Sequence, residues 1–587
     1  MTGDTAEHDR LRATLDEAAD RLLSERNERG FWTGRLSPSA LATATAVSAL
    51  CTNDPESHRQ LVERGCQWLF ADQNDDGGWG DSPDSPSNLS TTMLVRAALR
   101  LARPFCRPTP EVEDRAEAYL TDRAGERPED RIRAVVETYG SDRTFAVPIL
   151  TNCALAGLVE WSDVPGLPFE LAVFPHAWFR FLRLHVVSYA LPALIAVGVL
   201  LHRRNPSRNP VRRLLRSWTE QAALRKLSAI QPSSGGFLEA APLNSFVAMS
   251  LASAGHADHP VASRCIGFLA RTVRSDGGWP IDRNLSVWLT SNAVLALDRA
   301  EKLDVIHPAR TMRWLASRQH SVEHPYTGSP PGGWGWTHLP GGVPDADDTA
   351  RAILALARLG SASWLHPSVE RRLDAGIEWL LRIQNSDGGW PTFCRGWGRL
   401  PFDRSSPDLT AHALQALAAR RGDRRIDRAV KRGLRYLEQA RRPDGSWCPL
   451  WFGNQNAPGK ANPVFGTANV VRALSDLDAA PLGGPGREFL VAAQNEDGGW
   501  GGDRDAPSTI EETAAVLSAL AAGPETDATD AALEKGRAFL LARIAANDWT
   551  EPSPIGLYFS ALWYSERLYP IIWTVDALAE SVRRGRT

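Results

Sequence analysis

The chain has 587 residues, with 66 Lys and Arg against 69 Asp and Glu, so it lacks the global basic field that nucleic acid demands. Its length implies more than one domain. Seven cysteines, an odd number with no C-x-x-C pair, read as reduced thiols and argue against both a disulfide framework and a zinc site.

The N-terminal stretch "MTGDTAEHDRLRATLDEAADRLL" is charged and amphipathic, a helix with no apolar core of the secretory type. A motif then recurs along the whole chain. It reads "NERGFW" at Trp32, "QNDDGGW" at Trp79, "PSSGGF" at Phe237, "RSDGGW" at Trp279, "PPGGW" at Trp334, "QNSDGGW" at Trp390, "RPDGSW" at Trp447 and "QNEDGGW" at Trp500. From Trp279 the tryptophans step by 55, 56, 57 and 53 residues, the period of one supersecondary unit stacked repeatedly. Helical patterns such as "AGIEWLLRIQ" precede the motif, and others such as "LTAHALQALAA" follow it, with apolar residues at i, i+3, i+4 and i+7. Glycine ends one helix and the Trp packs beneath the turn. The expectation is an all-α chain of paired helices closed into toroids. It also accounts for much of the excess of 21 Trp over 8 Tyr.

Residues 166–204 depart from this pattern. The run Val186–Leu201 carries no charge, Pro192 interrupts it, and it is shorter than the ~20 residues of a spanning helix. Phe169, Phe174, Trp178, Phe179 and Phe181 precede it, and the arginine-rich "HRRNPSRNPVRRLLR" follows. This composition predicts a monotopic segment dipping into one leaflet; a buried core helix reads the same way.

Residues 341–350, "GGVPDADDTA", place Asp345, Asp347 and Asp348 at the start of the apolar run "RAILALARLG". An N-cap and an acidic first turn would explain them. An EF-hand would not, because its sixth position is Ala350 where Gly is required. Crowded carboxylates in a dry site cannot all ionise, so one retains a transferable proton.

Taken together, the Trp-anchored repeats, the segment 166–204, "PDADDTA" and "SPDLTAHAL" (406–414) resemble the squalene–hopene cyclase family of class II triterpene cyclases along nearly the whole chain. So do "RPDGSWCPLW", "VFGTANVVRAL" and "GLYFSALWYSERLYPIIWTVDAL". The resemblance implies two (α/α) barrel domains. The N-terminal helix 1–24 would pack on a catalytic toroid 290–587, and a toroid 25–289 carrying the membrane segment would be inserted between them. It implies that Asp347 protonates an alkene, that Asp345 and Asp348 hold and polarise it, and that His412 bonds it, with Asp408 one turn before. Trp336, Trp334, Phe393, Trp451, Tyr558, Trp288, Tyr189 and Phe237 match cavity aromatics that stabilise cations through their ring faces. Phe465 and Leu562 stand where the family has tyrosines, and Leu191 where it has arginine, which implies a cavity floor that is drier or is shaped for a different polyene or cyclisation end-point.

The implied activity is protonation-initiated cyclisation of squalene or a close relative, with no cofactor and no metal. The substrate would enter from one leaflet on the cytoplasmic face of the membrane and bind between the toroids; no nucleic acid is involved, and a homodimer stays open. A diterpene, sesquarterpene or meroterpenoid precursor is an alternative substrate. A prenyltransferase-like toroid, with Cys394 and His412 as zinc ligands, is another reading, although D-x-D-D has no use there. The absence of D-D-x-x-D argues against diphosphate ionisation as the trigger.

Overall fold

The structure is a computed structural model that describes residues 2–140, 143–174, 178, 190–325, 327–363, 366–393, 403–420, 422–557 and 562–585. The chain is 63% helix. It divides into two compact units, one made of residues 36–283 and 339–342, the other of the remainder. The boundaries therefore fall at 35 and 283 rather than 24 and 289. Residues 25–35 join the second body because Phe31 stacks on Trp314 (4.1 Å between centroids), and the Arg35 N–H donates to Glu566 (2.9 Å).

Helix α1 (Thr2–Ser24) precedes the first unit. Five helices, α2 (Ala40–Asn53), α3 (Leu89–Ala102), α4 (Arg143–Leu155), α5 (Leu191–Arg204) and α6 (Ala241–Leu251), each pack on the next, and α6 returns to α2. A second layer, including Arg59–Ala71, Pro110–Ala124, Pro210–Ile230 and Pro260–Thr272, packs outside them.

The other unit closes a ring of six: α7 (Ser286–Arg299), α8 (Ala346–Ala362), α9 (Pro407–Ala418), α10 (Pro463–Asp476), α11 (Ile510–Ala521) and α12 (Tyr569–Arg584), with α12 packed on α7. The outer helices here are Pro308–Ala316, Pro367–Ile383, Arg424–Ala440, Gly484–Ala492, Asp527–Ala545 and α1. A small antiparallel sheet, β1 (Phe452–Gly453), β2 (Ile555–Leu557) and β3 (Leu562–Tyr564), is the one feature the helical reading did not foresee.

One device builds the repeats that carry a tryptophan. Trp32, Trp79, Trp279, Trp334, Trp390, Trp447 and Trp500 are all fully buried. Each indole N–H donates to a leucine carbonyl at the end of an outer helix, at 2.7–2.9 Å. Each backbone N–H of these tryptophans donates to a threonine hydroxyl on an inner helix, at 2.9–3.1 Å. The motif glutamine ties the turn to the next repeat: the Gln384 amide donates to the Gly388 carbonyl (2.8 Å) and the Ala429 carbonyl (3.0 Å). An outer-helix glycine makes room for the ring, since a Cβ on Gly433 would come within 2.9 Å of Trp390. Burial without these partners would strand polar groups at about 1–3 kcal/mol each.

Two expectations are corrected here. Trp334 is one of these packing tryptophans and has no open face. Residues 191–204 are not a leaflet-dipping helix: they form α5, an inner-ring helix on which Ile195, Val197 and Leu200 are fully buried. A helix packed on all sides has an apolar sequence all round, which is the pattern that suggested lipid. The exposed apolar residues lie beside it instead, on Leu171, Phe174 and Trp178 and on the helix Pro210–Ile230.

Candidate active site

The acidic cluster sits where α8 begins. Asp345 is its N-cap, with extended φ and ψ of −135° and 167°, and its carboxylate accepts the Asp348 N–H at 2.8 Å. The loop is pinned on both sides. The Asp345 N–H donates to the Trp334 carbonyl (3.0 Å), and the Ala346 N–H donates to the Thr392 carbonyl (2.8 Å). Asp345 and Asp348 are buried, whereas Asp347 keeps 14% of its side chain exposed. Of the three carboxylates, it alone has an open face.

Asp347 meets His412, whose Nδ1 is bonded to its Oδ1. His412 comes from the neighbouring helix α9 and is itself buried. Its Nε2 lies 2.6 Å from the Arg351 guanidinium and 3.4 Å from the Asn469 amide oxygen. Asp408, one turn before His412, is buried; the Ser406 hydroxyl donates to one of its oxygens, and the other has no partner among the described residues. Burial pushes Asp345 up to about 7. Burial and then the charge of Asp345 push Asp348 well up, and burial and then the charge of Asp347 raise Asp408. Asp347 is therefore ringed by carboxyls that resist ionisation, and its conjugate base has an imidazole to stabilise it.

The repeats set a common register for these side chains. In the six-helix ring, Thr290, Thr349, Thr410, Thr467 and Thr513 receive the tryptophan N–H groups. Two residues before them stand Trp288, Asp347, Asp408, Phe465 and Glu511; two residues after stand Asn292, Arg351, His412, Asn469 and Ala515. The acid and the His412–Arg351 pair thus occupy successive layers of one barrel. Glu511 shares the acid's register. It is fully buried, one oxygen accepts the Ser553 N–H at 2.8 Å, and burial pushes it up to about 8.

The predicted aromatics separate. The Trp336 carbonyl accepts N–H bonds from Val287 (2.9 Å) and Trp288 (3.2 Å), so these two residues lie together. Phe393 meets Trp451 edge-on at 5.9 Å, and the Trp451 indole donates to Thr392 at 2.8 Å. Trp288 stacks on Phe452 (6.2 Å), and Phe452 contacts Phe465 (4.9 Å). Tyr569 and Trp573 extend this cluster, stacked at 4.8 Å. Phe237 is a correction. It is fully buried in the other unit at the motif's aromatic position, where its N–H donates to Asn244. Tyr189, Tyr558 and Cys394 lie outside the described residues.

Arg351, Asn469, Glu511, Phe452, Tyr569 and Trp573 were not foreseen. The i, i+4 spacing of Tyr569 and Trp573 was a readable signal. Arg351, one turn past Asp347, resembled an ordinary solvated arginine.

The sequence profile of the Squalene-hopene cyclase C-terminal domain matches residues 285–583, and that of the N-terminal domain matches 15–125. The chain belongs to the squalene–hopene cyclase family. A Prenyltransferase alpha-alpha toroid domain profile matches residues 190–331. Squalene–hopene cyclase of Alicyclobacillus acidocaldarius is 26% identical, over 78% of each chain. Enfumafungin synthase of Hormonema carpetanum is 25% identical over 96% of this chain, which spans about half of that protein (48%). Drimenyl diphosphate synthase of Streptomyces showdoensis is 31% identical over 48% of each. In structure, ent-copalyl diphosphate synthase from Streptomyces platensis matches with TM-score 0.60 at 20% identity, over 98% of this chain and 100% of that one. The family is that of class II terpene cyclases.

Proposed function

We propose that this cyclase protonates a terminal alkene of a linear polyprenoid with Asp347 and guides the resulting cation to a polycyclic product, squalene being the first candidate substrate. The observation that carries the reading is that Asp347 alone of the three aspartates keeps an open face while bonded to His412. An alkene is a very weak base, so the acid must be strong and dry, and its carboxylate must be stabilised after transfer. Trp336, Trp288, Phe393, Trp451 and Phe465 would then face the cation without acting as bases. Phe465 carries no hydroxyl to organise water, which favours a product formed without hydration.

A prenyl diphosphate is a second reading, favoured by the 31% identity to drimenyl diphosphate synthase over residues that make up half of each chain. Incubation with squalene, farnesyl diphosphate and geranylgeranyl diphosphate, with product analysis by mass spectrometry, separates the two. Asp347→Asn keeps the side chain's shape but removes the transferable proton. It should lower turnover by at least about 10⁴-fold with the melting temperature held within a few degrees. Near-normal turnover by this variant would refute the mechanism.

A polyprenoid substrate resides in lipid, and we propose that the chain docks one leaflet on the cytoplasmic side. Val211, Leu214, Leu215 and Trp218 line one exposed face of the helix Pro210–Ile230, with Val211 75% and Trp218 72% exposed. Leu171, Phe174 and Trp178 are exposed on the adjoining segment, which packs on that helix. Arg204, Arg208 and Arg213 flank them. An apolar face rimmed by arginine suits an anionic bilayer surface.

A further inference from the structure

A guanidinium is always a donor and never an acceptor. Arg351 Nη2 lies 2.6 Å from His412 Nε2, so that nitrogen must offer its lone pair. A doubly protonated ring would set an N–H and a second cation against the guanidinium. The Asn469 oxygen, at 3.4 Å, is too distant to offset that repulsion, and its amide nitrogen is already donating to the Phe465 carbonyl at 3.1 Å. The ring proton therefore sits on Nδ1 and points at Asp347.

Resting on the cyclase reading above, we propose that Arg351 is a positioning residue for the acid: it locks His412 as the neutral Nδ1–H tautomer and supplies, through that ring, the positive charge that stabilises the Asp347 carboxylate. In the protonation step, the Asp347 O–H bond breaks and leaves its electron pair on oxygen. The alkene π pair forms the new C–H bond, and positive charge appears on the other alkene carbon. The negative charge left on Asp347 then faces the His412 N–H, with Arg351 behind it.

The surroundings leave Arg351 available for this role. Arg299 is paired with Asp576 and Glu580, and Arg472 with Asp476 and Glu580, so the neighbouring charges largely satisfy one another. Arg351 forms no ion pair among the described residues, and its Nε has no hydrogen-bond partner there. Burial pushes it down only to about 10, so it stays charged at neutral pH. It also lines a cavity of about 620 Å³, with Leu295, Arg299, Gln415, Arg472 and Asp476.

Spectroscopy and kinetics of variants test the proposal. In ¹⁵N-histidine-labelled protein, with the His412→Gln spectrum assigning the signal, His412 should be the neutral Nδ1–H tautomer between pH 6 and 8. In Arg351→Met it should move to the Nε2–H or imidazolium form. With whichever of squalene, farnesyl diphosphate or geranylgeranyl diphosphate is cyclised, Arg351→Met should lower kcat by about 10²–10³-fold with KM changed less than about threefold. Arg351→Lys should recover part of that loss. The Met variant should also gain rate on acidification, because imidazolium replaces the lost cation. The charged or titratable groups around Arg351 and His412 are Asp347 and Arg358 on α8, Asp298 and Arg299 on α7 with Glu301 just after it, Asp408 on α9, Arg472 and Asp476 on α10, and Asp576 and Arg583 on α12. A doubly protonated His412 in the native protein at pH 7 would overturn the proposal. So would a folded Arg351→Met variant with kcat within about threefold of native. If no polyprenoid is cyclised, the cyclase reading fails, and the tautomer spectrum still decides the placement of the proton.

Discussion

Asp345 and Asp347 stand two residues apart and hold different positions. The first is the N-cap that any acidic helix start would have, its carboxylate occupied by the Asp348 N–H. The second turns away from the cap toward His412. Composition could not divide the three aspartates, but their order within "DADD" could, because a helix start fixes which carboxylate caps. Arg351 was illegible, since its role depends on a partner 61 residues away. The tryptophans divide in the same manner. Trp500→Phe keeps most of the buried ring but strands the Leu490 carbonyl, so it should cost about 1–3 kcal/mol; Trp500→Ala should cost about 3–5 kcal/mol. Trp336→Ala, at a half-buried position, should move the melting temperature little and instead release partly cyclised products. Calorimetry and product analysis on the two alanine variants check this, and like behaviour in both assays would erase the distinction.

At the scale of helices, the repeat period of the tryptophans was plain in the sequence, but the register of the inner helices was not. The step from Trp to its threonine is 15 residues at Trp334, 20 at Trp390 and Trp447, and 13 at Trp500. Counting from Trp therefore misplaces the inward positions, while counting from Thr recovers them, Glu511 included. That glutamate has a measurable consequence. Burial raises Glu511 to about 8 and Asp345 to about 7, so the folded state holds protons that the unfolded chain releases near pH 4. Their contribution to stability is full below pH 4 and is lost as pH rises toward 8, at up to about 1.4 kcal/mol per pH unit for each group. Glu511→Gln keeps an oxygen for the Ser553 N–H but cannot ionise. Its stability should decline less between pH 5 and pH 8.5, and above pH 7 it should exceed the native protein's. Parallel denaturation curves at each pH would show instead that Glu511 does not titrate in this range.

For the whole molecule, the arginine-rich stretch after residue 201 proved more informative than the apolar run before it. The described part of the run, from residue 191 on, is the buried helix α5, whereas "RRNPSRNPVRRLLRSW" holds no acidic residue and places its apolar side chains in the open. Arg216 and Arg212 anchor this helix from below by pairing with Glu170, at 3.0 and 3.1 Å, which keeps Leu214 and Trp218 turned outward. No helix among the described residues is long and apolar enough to cross a membrane. Each exposed leucine or tryptophan would contribute roughly 1.5–3 kcal/mol on entering lipid, and arginine attraction to anionic headgroups would add about 1 kcal/mol each. The apolar share should persist in salt, so the native protein should bind anionic vesicles and be released by detergent but not by 1 M salt alone. The double variant Leu214→Glu, Trp218→Glu should lose vesicle binding. Its melting temperature should stay unchanged because neither side chain is buried, and it should still turn over detergent-dispersed substrate. A native protein that ignores vesicles, or a double variant that binds them as well as native does, would place the lipid contact elsewhere on the chain.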